Sequence, residues 1–338
     1  MATTKITDVV VPENFAPYVV QRTTELSELI AGGIMQRDAS LDGMIAGGGK
    51  TFNMPFWNDL DGASDVISDD DNTDATPAKL TSGQDEAVRH LRHKAWSNMT
   101  LAGVLAGDAP EERLGDLIAG YWVRNMQGIL ISSLTGVIAD NDANDDDDMI
   151  FDISNDDADD VTADEKVSSD AIIAARQTMG DAGQNLTAIA MHSVVKAELD
   201  RQEAIEYVRP AGVSFDMPTY KGLAVIVDDN CPAVSGTNRV TYTSYLFGAG
   251  AVGYGEALYG NDPMDAVEID RKPSSGNGGG QTILHSRRQF ILHPRGIRFT
   301  SGSVAGQAPT NTELENAANW DRVYDRKAVR IAVLKTNG

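Results

Sequence analysis

The stretch DAPEERLGDLIAGYWVRNMQGILISSLTGVIAD, which runs from Asp108 to Asp140, decides how the rest of the chain is interpreted. Its apolar residues recur at steps of three and four, which is typical of one face of an α-helix. Asp108 can cap the helix, Pro110 suits its first turn, and Glu111 completes a capping-box pattern. A helix of about thirty residues is a rod on the order of 45 Å long, against a usual length of about 11–12 residues. The stretch therefore predicts a strut that supports other parts of the molecule.

A long β-hairpin is predicted just before this helix. Thr51–Trp57 favours a strand, residues 58–74 form an acidic loop, and Ala87–Thr100 alternates as the return strand. The return strand is basic and contains Arg89, Arg92 and Lys94. Because its loop is acidic and its return strand basic, such a hairpin could pair with the hairpin of a neighbouring copy.

The N-terminal segment is predicted to be an extended arm over residues 1–24, followed by a short helix at Thr24–Met35. An isolated arm is ordered only when it lies on another surface, so we expect it to contact a neighbouring subunit. The residues expected at subunit contacts, in the arm and the hairpin together, are Phe15, Tyr18, Trp57, Arg89, Arg92 and Lys94.

The second half of the chain predicts an α/β lobe and then a β-rich segment. Within residues 166–232, helices are expected at Ser169–Met179 and Ser193–Tyr207, each capped by its serine, and strands at Leu186–Met191 and Gly222–Val227. Later strands are expected at Arg239–Phe247, Ala266–Arg271, Thr282–Leu292 and Val323–Leu334, with a short helix at Thr312–Trp320. Helices and strands grouped in this way indicate the α+β class.

Composition excludes several classes of function. The 338 residues are 41% hydrophobic and 23% charged, which is ordinary for a globular chain. The net charge of −22 is concentrated in two segments, since residues 140–165 carry thirteen acids and residues 59–74 carry seven, with no base in either. This distribution does not favour sequence-specific nucleic-acid binding, which needs a basic face. No apolar run suggests a membrane span or a signal peptide, and the single Cys231 excludes an internal disulfide.

Four motifs resemble known ligand-binding motifs, but each lacks a residue or a structural element that binding requires. Gly43–Thr51 resembles a phosphate-binding loop, but Met44 stands where the first glycine is required and a strand follows. Gly248–Gly253 has the dinucleotide spacing without a following helix, so a glycine turn between strands is expected. His90 and His93 have no further histidine or cysteine nearby, and we expect no zinc site there. The opening of the acidic segment resembles a calcium loop that lacks its glycine and glutamate, which leaves only a weak metal site at Asp140, Asp142 and Asn144.

No catalytic constellation is visible in the sequence. The Gly-x-Ser-x-Gly elbow is absent, Cys231 has no local base, and Ser193 is better explained as a helix cap than as a nucleophile. We therefore expect neither an enzyme nor a cofactor. A soluble enzyme with a carboxylate pair brought together by folding stays as an alternative.

The order of these elements resembles the major capsid proteins of tailed bacteriophages, which have the Hong Kong 97-type fold. The motifs that carry the resemblance are FNMPFW (Phe52–Trp57), KAW (Lys94–Trp96), YLFGAGAVGYG (Tyr245–Gly255), EIDR (Glu268–Arg271), RRQFILHPRG (Arg287–Gly296), PTNTEL (Pro309–Leu314) and NWDRVYDRKAV (Asn319–Val329). The resemblance covers nearly the whole chain.

This resemblance implies an N-terminal arm (1–50), an extended hairpin loop (51–99), a spine helix with the acidic loop in a peripheral domain (100–165), a mostly axial α/β domain (166–260), and C-terminal strands that return to the peripheral domain (261–338). It also implies self-assembly into hexamers and pentamers of an icosahedral shell around double-stranded DNA, held non-specifically. A separate scaffolding protein, a portal protein and a decoration protein are the implied partners, with assembly in the bacterial cytoplasm and a final place in the virion. The alternative within the same fold is the shell of a protein nanocompartment.

Overall fold

The computed structural model describes residues 34–60, 62–64, 66–67, 74, 77–106, 110–202, 205–208, 217–257, 259–260 and 266–338. The elements up to the end of the long helix are β1 (Met35–Arg37), α1 (Ala39–Ala46), β2 (Thr51–Trp57), β3 (Ser82–Val88), β4 (His90–Met99), α2 (Thr100–Ala106) and α3 (Pro110–Asn144). The middle elements are β5 (Ile150–Asp152), α4 (Ser169–Gln177), β6 (Leu186–Met191), α5 (Ser193–Arg201), β7 (Glu206–Val208), β8 (Met217–Tyr220), β9 (Leu223–Val227) and β10 (Ala233–Ser235). The last elements are β11 (Val240–Gly248), β12 (Val252–Ala257), β13 (Val267–Lys272), β14 (Gln281–Pro294), β15 (Ile297–Phe299), α6 (Asn311–Leu314), β16 (Trp320–Arg322) and β17 (Ile331–Thr336).

One five-stranded sheet is organised around the long strand β14. Strands β12 and β13 pair with successive parts of β14 in antiparallel register, β4 pairs with it along Gln281–Phe290, and β1 adds to β12 in parallel. Helix α3 packs against this sheet through Trp122. The indole Nε1 of Trp122 donates to the Oγ of Ser286 on β14 at 2.8 Å. The long helix thus has the supporting role that its apolar stripe predicts.

A second, eight-stranded sheet forms the α/β lobe. Its order is β5-β17-β11-β6-β9-β8-β7, with β10 paired to β11 at the side. Helices α4 and α5 bury Ile172, Val195 and Leu199 against its strands in one hydrophobic cluster. The closing strand β17 lies between β5 and β11, so the C-terminal end of the chain completes the sheet of this lobe.

The largest hydrophobic cluster joins the long helix to the C-terminal part of the chain. Ile129, Leu130 and Leu134 of α3 belong to the same cluster as Ile331 and Val333 of β17. Their side chains are almost completely removed from solvent, and burying such a side chain contributes about 1.5–3 kcal/mol. The apolar stripe of the long helix therefore packs on the C-terminal half of the chain.

The predicted end of the long helix is wrong by one turn. The helix continues through Asn144, because the side-chain amide of Asn144 donates to the Oδ1 of Asp140 one turn earlier at 2.7 Å. The acidic turn follows at residues 145–149, where Asp146 and Asp147 both have positive φ. Pro110 begins the helix as predicted, whereas Asp108 lies outside the described residues.

Several shorter predictions are also wrong at their ends. Residues 24–33 of the helix expected at Thr24–Met35, like the arm before them, lie outside the described residues. Met35 lies in strand β1, and a helix that the sequence analysis did not predict occupies Ala39–Ala46. The caps of the two lobe helices are Ser168 and His192, one residue before the serines expected to cap them. Helix α5 ends at Arg201 and the strand β7 follows at Glu206–Val208, so Tyr207 is not helical.

The C-terminal segment is less regular than its sequence pattern suggests. The expected helix at Thr312–Trp320 consists of the short α6, a 3-10 turn at Ala317–Asn319 and the start of β16. The expected strand at Val323–Leu334 begins only at Ile331. In the described part of the chain no helix is long and apolar enough to cross a membrane.

Candidate subunit interface

The hairpin β2–β3 is a two-stranded sheet that does not join either large sheet. Its register runs from Thr51 paired with Val88 to Trp57 paired with Ser82. The ladder continues for one more pair, because the amide of Asn58 donates to the carbonyl of Thr81 at 3.0 Å. The return strand predicted at Ala87–Thr100 is therefore wrong in its pairing: β3 closes the hairpin, and β4 leaves it to pair with β14.

The base of the hairpin is fixed to the body by a buried acid–histidine contact. The Oδ2 of Asp85 on β3 lies 2.9 Å from the Nε2 of His293 on β14 and accepts the amide of Gly296 at 3.0 Å. Both side chains are almost fully buried, at 4% and 3% exposure. Removing one partner would leave the other buried without a hydrogen bond, at a cost of about 1–3 kcal/mol, so the contact helps to hold the hairpin in one orientation.

An aromatic contact also holds the middle of the hairpin. Phe56 lies across the strands from Gly83, and a Cβ on Gly83 would overlap the Phe56 ring. The same ring meets Tyr324 edge to face, with centroids 4.5 Å apart. The glycine is therefore required for the close approach of the phenylalanine ring to β3, which ties the hairpin to the segment before β17.

From Trp57 at the end of β2 to Leu80 before β3, the hairpin exposes large apolar side chains. The exposed set, with fractional exposures, is Trp57 71%, Leu60 76%, Val66 93%, Ile67 98% and Leu80 53%. We call these five residues the apolar tip. Contact with another surface would remove these side chains from water, which makes this part of the hairpin a candidate interaction surface.

The residues predicted to make subunit contacts divide into three groups. Trp57 and Lys94 are exposed and available to a partner. Arg89 and Arg92 bind within the subunit: Arg89 donates to the carbonyl of Ile45 at 2.7 Å, and Arg92 donates to Asn311 at 3.1 Å. Phe15 and Tyr18 lie outside the described residues.

An arginine from the C-terminal segment pairs with two carboxylates of the acidic turn after the long helix. Arg322 on β16 donates to both carboxylate oxygens of Asp148, at 2.6 and 2.8 Å, and lies 3.4 Å from Asp145. Burial alone would raise the pKa of Asp148, but the hydrogen bonds from Arg322 and Asn141 hold it below its usual value. Carboxylates at the C-terminal end of a helix oppose its dipole, so Arg322 supplies the positive charge that the turn needs.

The weak metal candidates do not converge on one position. Asp140 is buried, burial raises its pKa, and Asn144 occupies one of its oxygens. Asp142 is exposed and lies two helical positions away, on a different face from Asp140 and Asn144. Among the described residues, no group of three or more His, Cys, Asp or Glu side chains is arranged to hold a metal ion.

The other candidate ligands and nucleophiles have structural surroundings. His90 is fully buried against Phe290, and burial lowers its pKa to about 3, so the ring is neutral at physiological pH. His93 is exposed, with its Nε2 at 3.1 Å from the Nδ1 of His285. Burial raises the pKa of the Cys231 thiol, which makes this cysteine a poor nucleophile.

Each glycine motif contains a turn between two elements. Residues 43–46 of the first motif belong to α1, and residues 47–50 turn towards β2. Lys50 of the first motif donates to the carbonyl of Gly306 at 2.8 Å and is followed by β2, which fits the expected turn better than a phosphate-binding loop. Gly248–Gly253 connects β11 to β12 as a strand-to-strand turn, which confirms the interpretation of that motif.

Sequence reasoning missed the pairing of Asp85 with His293. The two residues are 208 positions apart, and no local pattern links them. A weak signal exists for the histidine alone, because His293 ends the apolar run FIL and a buried polar side chain needs a partner. The polar sequence SGQDEAV around Asp85 gives no sign that this aspartate is buried.

Comparison with known proteins gives one close relative and several distant folds. No family model matches the chain. The chain is 44% identical over 340 residues to the major capsid protein of Bacillus phage SPP1, an alignment that covers 99% of this chain and 98% of that protein. Its fold is similar to the capsid of cyanophage Pam1 (TM-score 0.55, 12% identity, 90% of this chain and 88% of that one) and to the capsid of Ralstonia phage GP4 (TM-score 0.52, 8% identity, 90% and 87%).

Proposed function

The chain belongs to the major capsid proteins of tailed bacteriophages with the Hong Kong 97-type fold, and we propose that it assembles into hexamers and pentamers that close an icosahedral shell around double-stranded DNA. The subunit is a structural component of the virion and acts by making contacts with its own copies. In the terms of the family, we assign residues 1–50 to an arm, 51–99 to the extended loop, 100–165 and 261–338 to the peripheral domain, and 166–260 to the axial domain.

The apolar tip is the observation that supports assembly most directly. Five large apolar side chains project from a hairpin whose base is buried and bonded to the body. Inside one subunit this arrangement leaves apolar surface in water, with a free-energy cost of about 25 cal/mol for each Å². A neighbouring copy that covers the tip removes that cost, and the rigid base fixes the direction in which the neighbour must lie.

The charge distribution supports a non-specific relation to DNA. The two acidic segments carry 20 of the 22 net negative charges, so the remaining chain is nearly neutral. DNA affinity grows with the number of phosphates that lysines and arginines neutralise. A nearly neutral shell would let packaged DNA move along it without adhering.

The proposed partners follow from membership of the family. A separate scaffolding protein would guide assembly in the host cytoplasm, a portal protein would occupy one vertex, and a decoration protein would bind the outer surface. Each of these partners would show as additional density or as a co-purifying chain.

Electron microscopy of the purified protein, alone and co-expressed with its scaffolding protein, tests the proposed shell. We expect closed icosahedral particles in which the same chain forms both hexamers and pentamers. A chain that stays monomeric under every condition, including with its scaffolding partner, would contradict the proposal.

A further inference from the structure

The turn between β13 and β14 contains an exposed Asn-Gly pair, Asn277–Gly278, inside the sequence SSGNGGG. Asn277 and Gly278 are both exposed and both have positive φ, 55° and 94°. Glycine after asparagine is the arrangement in which the next backbone nitrogen reaches the asparagine side chain with least hindrance, because glycine has no Cβ.

We propose that Asn277 is a site of spontaneous deamidation, at which the β13–β14 turn gains a negative charge and, in the isoaspartyl product, one backbone methylene. The amide nitrogen of Gly278 loses its proton to hydroxide or a water base and attacks Cγ of Asn277. The bond from Cγ to the side-chain nitrogen breaks and ammonia leaves, which gives a five-membered succinimide. Water then opens the ring at either carbonyl to give aspartate or isoaspartate. No atom changes its oxidation state, and water is the one co-reactant.

The turn is able to reach the reactive conformation at low cost. A left-handed Asn277 is not the conformer in which the ring closes, so the turn must open first. Two hydrogen bonds close it, from Gly279 to the carbonyl of Gly276 at 3.2 Å and from Gly280 to the carbonyl of Ser275 at 3.1 Å. Four glycines in five positions give this segment many accessible backbone conformations, which favours opening.

The chain contains an internal control, since its other Asn-Gly pair is Asn337–Gly338. Asn337 is buried and its side chain is held from both ends. Its Nδ2 donates to the carbonyl of Val240 at 3.0 Å, and its Oδ1 accepts the amide of Asn155 at 2.7 Å. Both bonds must break before Cγ can be attacked, so the same dipeptide is protected at one site and accessible at the other.

A change in the backbone of the β13–β14 turn would alter the start of helix α2, which exposes apolar side chains. The amides that begin α2 donate to the turn: Thr100 to the carbonyl of Gly280 at 3.0 Å and Leu101 to the carbonyl of Gly279 at 3.1 Å. Leu101 and Val104 of α2 are exposed. An extra methylene at position 277 displaces these two carbonyls and loosens the start of α2. This consequence does not depend on the proposed assembly.

Peptide mapping of the full-length protein after prolonged incubation at pH 8 and at pH 5, at 37 °C, tests the proposal. Trypsin releases the segment from Lys272 to Arg287, in which Asn277 is the single asparagine, and cleavage before Asp325 releases the segment that contains Asn337. At pH 8 we expect the mass gain of amide-to-acid conversion at Asn277, labelling by isoaspartyl methyltransferase, and release of ammonia. At Asn337 the conversion should be slower by at least about tenfold, because that side chain reacts only from a locally opened state.

Two outcomes would overturn the proposal. One is an unmodified Asn277 in the folded protein under conditions that convert it in urea. The other is equal conversion at Asn277 and Asn337 in the folded protein. The variant Asn277→Gln, which cannot close a five-membered ring, should lose the isoaspartyl label from this peptide while keeping the fold, and a label that persists would also contradict the assignment.

Discussion

At the scale of single residues, Gly136 shows how closely the long helix is fitted to the C-terminal segment. A Cβ at this position would collide with the carbonyl oxygen of Leu314 and with the indole of Trp320, whose Nε1 donates to that same carbonyl at 2.7 Å. Glycines within a helix usually suggest a bendable strut. Gly136 has a different role, because it lets a polar hydrogen-bonded contact lie directly against the helix backbone.

We predict opposite effects for two glycine substitutions in α3. Gly136→Ala should lower the free energy of unfolding by about 1–3 kcal/mol, because the added methyl forces Leu314 and Trp320 apart. A Cβ at Gly128 would have no neighbouring atom within 4 Å outside the helix's own backbone, so Gly128→Ala should leave stability unchanged or raise it by up to about 1 kcal/mol through helix propensity. Urea unfolding of the soluble subunit measures both. Equal destabilisation by the two variants would contradict this role for Gly136.

His90 gives the subunit a defined sensitivity to acid. Burial, helped by the charge of Arg92, lowers the pKa of His90 from 6.5 to about 3. Between these two values the unfolded chain binds a proton that the folded chain does not, so acid stabilises the unfolded state. The contribution is absent above pH 6.5 and grows as the pH falls towards 3.

The variant His90→Gln tests this pH dependence. Between pH 6 and pH 4 the slope of unfolding free energy against pH should be smaller in the variant by up to about 1.4 kcal/mol per pH unit, the value for one proton. Comparing slopes separates the titration from any constant loss caused by the substitution. Identical slopes in the two proteins would show that His90 is protonated equally in the folded and unfolded chains.

At the scale of elements, the strongest sequence patterns were predictive. The helix α3 and the strands β2, β6, β11 and β14 follow from sustained periodicity, which local sequence specifies well. The missed elements depend on distant partners. Strand β1 exists because Met35 pairs with Val252 more than 200 residues later, and the split of the return strand between β3 and β4 depends on β14.

The candidate interface was predictable only where local sequence patterns determine it. The hairpin and the exposed Trp57 follow from alternation around a polar loop. That Arg89 and Arg92 bind within the subunit depends on Ile45 and Asn311, which the sequence gives no means of placing nearby. A basic residue in a strand pattern therefore indicates a surface position but does not identify its partner.

A single charged substitution tests whether the apolar tip of the hairpin lies in a contact between subunits. Ile67→Asp should leave the unfolding free energy of the subunit within about 0.5 kcal/mol, as for other exposed sites, and should block assembly because the new carboxylate would be buried without a partner. The matched control is Ile173→Asp, at an exposed isoleucine on α4, which we expect to assemble. Sedimentation of both proteins under assembly conditions measures the difference. If Ile67→Asp forms normal particles, the tip is not part of the interface.

At the scale of the whole molecule, the subunit joins a well-packed body to one projecting element. The body has two sheets bridged by α3 and a continuous core that reaches the closing strand. The hairpin is bonded at its base through Asp85 and ends in apolar side chains exposed to solvent. We expect the body of such a chain to be stable alone, and we propose that another copy covers its tip.

Shortening the hairpin is the sharpest test of the proposal that its tip joins one copy of the subunit to the next. Replacement of residues 59–80 by a two-residue Asn-Gly turn keeps the pair Asn58–Thr81, the register of β2–β3 and the contact of Asp85 with His293. Electron microscopy and unfolding are then measured on the same preparation, with the unmodified protein alongside. We expect a subunit of unchanged stability that forms no closed shells. Closed shells of normal size from the shortened protein would contradict the proposal.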